Sequence, residues 1–188
     1  MTYVMFPFSP DWSENIELSY GYFTALEATP RLREQRRPLK TAVTRTQSFM
    51  VRMFTKYDSA LFENYCKSIH ATKMYMPVFS EELQMAGTGV IGASPYTVTN
   101  ILTDKYSLSI TSLIGFVDKT GLISPEVQTL TSYNTTNKTL SPAVDPAGSF
   151  LKQNTVIYPL FLALIDSYTS RDITDSITEF KLTFKEII

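Results

Sequence analysis

"IELSYGYFTALEATPRLREQRRPLKTAVTRTQSFMVRMFT", Ile16 to Thr55, sets two strand-like segments on either side of the most basic stretch of the chain. In the first, Ile16–Ala28, Ile16, Leu18, Tyr20 and Tyr22 fall on one face of an alternating run. In the second, Leu39–Thr55, β-branched residues are frequent, and Val43, Arg45, Gln47, Phe49, Val51 and Met53 share one parity. A period of two is the signature of a half-buried strand. Between Thr29 and Arg45 lie Arg31, Arg33, Arg36, Arg37, Lys40 and Arg45, with Glu34 as the one acid. Pro30 and Pro38 each bias the residue before them away from helix. The pattern predicts a long N-terminal β-hairpin, or arm, around residues 16–55.

Downstream, "YDSALFENYCKSIH" (Tyr57–His70) brings Leu61, Phe62, Tyr65 and Ile69 together at intervals of three and four. This predicts an amphipathic helix around 58–69 with Asp58 as its cap. "TKMYMPVF" (Thr72–Phe79) reads as a buried strand ending near Pro77, and "SEELQM" as a short helical turn. From Gly87 to Leu151 the chain alternates turn residues with short strands: "YTVTNIL", "KYSLSITSLIGFVD" and "EVQTLTSYN". In the last segment Thr178, Phe180, Leu182 and Phe184 oppose Ile177, Glu179, Lys181, Thr183 and Lys185, a half-buried strand. Short strands at this spacing argue for a β-sandwich or barrel rather than βαβ units. The expected fold is mainly β, a single domain over 1–188 with one helix.

Bulk composition narrows the functions. A hydrophobic share of 44% with 19% charged residues is that of a chain with a core, not a disordered one. Net charge is −1, so any polyanion binding has to be local. One cysteine rules out an intrachain disulfide and a thiolate metal cage. The N-terminus has no basic region and carries two prolines, unlike a signal peptide. The longest apolar run, "VIYPLFLALI" (Val156–Ile165), is half the roughly 20 residues of a helical membrane span, so a soluble chain is expected.

Catalytic patterns are weak. Cys66 and His70 stand four apart on the expected helix, too few ligands for zinc, and they read as a buried thiol and a histidine at a helix C-terminus. Glu81–Glu82 and Asp172/Asp175 read as solvated surface, not as a pair held across a cleft. "AGTGVIGAS" (Ala86–Ser94) has the G-x-G-x-x-G spacing, but β-branched residues and Pro95 stand where the required helix would begin, so a loop is expected. Asn134 and Asn137 begin N-x-Thr sequons that carry no weight without a secretory signal. No metal, cofactor or catalytic constellation is expected, and the chain does not read as an enzyme.

The basic stretch leaves three readings open: contact between subunits, a solvated loop, and nucleic-acid binding. Single-strand binders interleave aromatics with charge, and Thr29–Arg45 contains none. Arginine outnumbers lysine five to one there, which favours the planar, bidentate contacts of protein interfaces. The expected interaction set is therefore Arg31, Arg33, Glu34, Arg36, Arg37, Lys40 and Arg45, with Tyr20, Tyr22 and Phe23 adding buried contact.

Taken together, "FPFSPDW" (Phe6–Trp12), "ELSYGYFTAL" (Glu17–Leu26) and "REQRRPLKTAVTRTQSFMV" (Arg33–Val51) resemble the opening of minor tail proteins of tailed bacteriophages. "FENYCKSIHATKMYMPVF", "DPAGSFLKQNTVIYPLFLALI" and "DSITEFKLTFKEI" are similar to that family's helix, its Tyr-Pro segment and its final strand. Where the family has an arginine pair before the second long strand, this chain has only Arg45. A more distant likeness is to distal tail proteins of long-tailed phages and gene-transfer agents. The resemblance implies a split β-barrel of tail-tube type and a hexameric ring, located in the virion tail after synthesis in the bacterial cytoplasm. Its partners would be further copies of itself, the tail tube, the tape measure and the baseplate hub. The alternative function is a β-rich receptor- or carbohydrate-binding module of the tail tip, using loops Ser94–Tyr96 and Tyr133–Lys138.

Overall fold

The computed structural model describes residues 3–21, 24–28, 34–38, 44–99 and 112–187. In chain order its elements are β1 (Glu17–Gly21), β2 (Thr24–Ala28), β3 (Glu34–Pro38), β4 (Thr44–Met53), α1 (Lys56–Ile69), β5 (Met74–Pro77), β6 (Leu83–Gln84), β7 (Tyr96–Thr97), β8 (Leu113–Asp118), β9 (Glu126–Asn134), β10 (Thr139–Pro142), β11 (Thr155–Asp172) and β12 (Thr178–Glu186). The fold is mainly β: one open, antiparallel ten-stranded sheet in the order β1-β4-β12-β11-β8-β9-β10-β7, with β5 and β6 also pairing with β11. A separate two-stranded sheet is formed by β2 and β3. The chain divides into two compact units, Met1–Phe8 with Met74–Phe161, and Ser9–Lys73 with Leu162–Ile188. Neither is a single continuous stretch of sequence.

In the unit containing the N-terminal hairpin, the period-two expectation holds for β4 and β12. Gln47, Phe49 and Val51 are buried on β4, and Phe180, Leu182 and Phe184 on β12. The two strands run in register from Thr178↔Met53 to Lys185↔Thr46, which brings the Phe49 and Phe184 rings into a stack at 5.8 Å. The helix closes this core, with Phe62, Cys66 and Ile69 buried and the Phe62 ring 4.8 Å from Phe180.

Two details of the helix differ from expectation. Its cap is Thr55, not Asp58: the Asp58 N–H donates to Thr55 Oγ1 (3.0 Å), and the Thr55 hydroxyl donates to Asp58 Oδ2 (2.6 Å). Asp58 is the third helical residue, where its charge also suits the helix N-terminus. Leu61, expected in the buried stripe, is 51% exposed, and Cys66 takes its place. A small thiol permits close approach of helix and sheet where a branched side chain would not.

The first strand also departs from its pattern. Leu18 is half-buried and Tyr20 is 49% exposed, because β1 ends the sheet and, among the described residues, pairs only with β4. Tyr22 lies outside the described residues.

In the other unit, Leu83, Met85, Tyr96, Val98, Ile114, Phe116, Leu130, Leu140, Phe150 and Ile157 form one apolar cluster. Tyr96 and Phe116 meet edge to face at 5.8 Å. "EVQTLTSYN" is the strand β9, Met74–Pro77 is the expected strand β5, and the turn foreseen in "SEELQM" is a short 3₁₀ helix, Phe79–Glu81, followed by β6. Glu81 and Glu82 are not solvated surface. Glu81 is buried, while Glu82 accepts hydrogen bonds from Tyr158 Oη (2.9 Å) and Lys119 Nζ (2.7 Å). The glycine-rich segment runs as irregular loop, with Gly87 and Gly89 at φ +88° and +90°, as expected.

The apolar run Val156–Ile165 lies inside β11, the longest strand. It is buried on both faces as far as Phe161, so no alternation marks it. Pro159 is tolerated because the β6 ladder ends at Ile157. The Pro159 carbonyl accepts from the Val78 N–H (2.9 Å), and the donor proline lacks would have faced the same side.

Candidate functional site

The hairpin is two ladders in series. β1 and β4 pair from Glu17↔Ser48 to Gly21↔Thr44, and β2 and β3 pair from Thr24↔Pro38 to Ala28↔Glu34. Between the ladders stand two residues on the outgoing side and five on the returning side, residues 22–23 and 39–43. The basic stretch is therefore not all connection, since Glu34–Pro38 within it is strand β3. Its register sets Arg36 opposite Leu26 and Arg37 opposite Ala25. Among the described residues β2 and β3 pair only with each other.

Of the remaining expected interaction residues, Arg31, Arg33, Lys40, Tyr22 and Phe23 lie outside the described residues. Tyr20 is exposed and faces Arg45 across the β1–β4 ladder. Arg45 is engaged within its own chain. Its backbone N–H donates to Glu186 Oε2 (2.9 Å), and its Nε lies 3.6 Å from the same oxygen.

A second charged group ties the segment before β1 to the sheet. Arg52 donates to Glu179 Oε1 through Nε (3.1 Å) and Nη2 (2.5 Å), and Nη2 lies 3.3 Å from Asp11 Oδ2. Asp11 Oδ1 accepts from the Ser13 hydroxyl (2.7 Å) and N–H (3.0 Å), and its N–H donates to the Met50 carbonyl (2.7 Å). The Ser13 bonds, with Arg52 adding its charge, hold the Asp11 carboxyl below the usual carboxylate range against a partial desolvation.

Cys66 and His70 do not act together. The thiol is sealed in the core, where burial pushes its pKa up to about 11, and His70 is exposed at the helix end. A thiol held in that form is not a nucleophile near neutrality. Among the described residues no three His, Cys, Asp or Glu side chains gather as a metal site.

Two surface features escaped sequence reasoning. Phe54 (65% exposed), just before the cap of α1, and Tyr57 (73%) and Leu61, four apart on the helix, are exposed large apolar residues. A pocket of about 380 Å³ is lined by His70, Leu164, Ile165, Asp166, Lys185, Glu186 and Ile187. The one sequence signal for the pocket was an acid, Asp166, placed directly after the longest apolar run.

No protein-family model matches this chain, and no curated protein matches it. The likeness to phage tail proteins rests on the quoted residues alone.

Proposed function

We propose that this chain is a structural component of a bacteriophage tail, an adaptor ring at the distal tube or baseplate that joins the tail tube to the tip or hub. It works by contacts between subunits, and its fold is a split barrel of tail-tube type assembled as a hexamer. The observation that carries this reading is the β2–β3 ribbon, which has no third strand among the described residues and holds the basic core of the sequence. An isolated two-stranded ribbon is marginal in water and gains stability when another surface covers it. Arginine-rich ribbons meet protein partners through forked, charge-assisted hydrogen bonds. The mainly β, antiparallel architecture with one α-helix among the described residues supports the reading, and closure of the open sheet into a barrel is part of the proposal.

The test is assembly. Native mass spectrometry and negative-stain imaging of the intact protein are expected to give rings. The variant Arg33→Glu/Arg36→Glu/Arg37→Glu is expected to stay folded by circular dichroism and to remain monomeric. Rings formed equally well by that variant would mean the stretch is only solvated charge.

The receptor-binding alternative draws support from Tyr133, 37% exposed near the end of β9, where the structure has strand rather than the expected loop. Tyr96 offers it none, since that ring is buried and its hydroxyl donates to Asp145 Oδ1. Glycan-array binding by the isolated protein, without incorporation into virions, would favour this second function.

A further inference from the structure

We propose that the pocket between the end of α1 and the β11–β12 ladder is the seat for an arginine side chain of a second copy, supplied by its basic hairpin. This rests on the assembly reading above and names the surface that receives the ribbon.

The pocket exists because β11 is irregular there. Ile165 pairs with Phe184 and Ser167 with Thr183, so Asp166 is an extra residue without a partner in the ladder. In a regular strand, neighbouring residues point to opposite faces. Around this bulge Leu164, Ile165 and Asp166 all line one cavity. Bulges recur where a strand has to re-aim a side chain, and the one re-aimed here is a carboxylate.

The chemistry of the walls selects the ligand. Leu164, Ile165 and Ile187 supply apolar surface, and His70 a polar edge. Of the charged groups, Glu186 holds Arg45, and Lys185 is engaged in a contact of its own. Asp166 is exposed, and among the described residues its carboxylate makes no hydrogen bond or ion pair, so its charge is unspent. An apolar wall beside one open carboxylate matches a side chain with a methylene stem and a cationic head. Glu186 already shows guanidinium binding at this rim, through Arg45.

The same chain carries the complementary ligand. Arg33, Arg36 and Arg37 fall within five residues, with a single acid between them. A cyclic ring is a heterologous assembly, so each subunit has to present both a donor patch and a different acceptor patch. Hairpin and pocket are such a pair.

The experiment titrates the peptide RLREQRRPLK, Arg31–Lys40 of this chain, into the intact protein while methyl signals of Leu164, Ile165 and Ile187 are followed by NMR. The expected result is saturable shifts of those methyls, with binding about tenfold weaker in Asp166→Asn and weaker again in Asp166→Lys. Shifts elsewhere only, or equal affinity for all three proteins, would overturn the proposal. Sedimentation velocity separates its failure from that of the assembly reading. Rings formed by Asp166→Lys but not by the triple arginine variant would remove the pocket and leave the hairpin. Assembly lost in Asp166→Lys and regained when it is combined with the triple glutamate variant would support the pairing directly.

Discussion

Thr55 and Asp58 show how much one hydroxyl contributes at a helix start. Removal of an N-cap oxygen leaves an N–H without a partner and costs about 1 kcal/mol. Thr55→Ala is therefore expected to lower the thermal midpoint by about 2–4 °C, readable by calorimetry. Cys66 is a second residue-scale case. With its thiol buried and kept protonated, a thiol reagent is expected to label the native protein only at the rate of unfolding, and at once in denaturant. Rapid labelling of the native protein would contradict the burial.

Acid stability belongs to this scale too. The Ser13 hydroxyl lowers the pKa of Asp11, the Thr120 hydroxyl that of Asp118, and the Tyr96 hydroxyl that of Asp145. Because each folded value lies below the unfolded one, these groups stabilise the protein above about pH 4. That stability is lost as pH falls through the folded values. Urea midpoints are expected to drop between about pH 4 and pH 2, and less steeply in Asp11→Asn, which is already less stable at pH 7.

At the scale of elements, legibility followed periodicity. β4 and β12 each bury one face, so their period of two stands in the sequence and their burial was foreseen. β11 buries both faces and contains Pro159, which removes the alternation and adds a breaker signal. Its identity as the longest strand comes from partners on both sides, which no local pattern encodes. β3 was hidden for the opposite reason: EQRRP has low strand propensity, and only its pairing with β2 makes it a strand. The triple arginine variant tests this element. A ribbon that pairs with no third strand among the described residues contributes little to folding, so reversal of its charges is expected to leave the monomer intact and to abolish the proposed assembly.

For the whole molecule, net charge is −1 and six of its 17 Lys and Arg residues fall within Thr29–Arg45, so the assembly proposed above is expected to be directional and salt-sensitive. At about 0.15 M salt the screening length is roughly 8 Å, so only groups brought close together contribute. Ring formation is expected to weaken as salt is raised from 0.05 to about 0.5 M, with the wild-type profile at high salt approaching that of the arginine variant. Salt-independent rings would point instead to exposed apolar residues such as Phe54, Tyr57 and Leu61 as the main contact.

Sequence alone determined the class of fold, the place of α1, and the buried faces of β4 and β12. These follow from periodicities that a few neighbouring residues impose on one another. The same local reading found the basic stretch as a unit of charge. Only the tertiary structure decided that part of this stretch is a strand, that Leu61 faces outward, and that Glu81 is buried. It alone also placed Asp166, set by a one-residue slip between β11 and β12, in a pocket. Each of these depends on register and partners between segments distant in the chain, and such pairings leave no local trace.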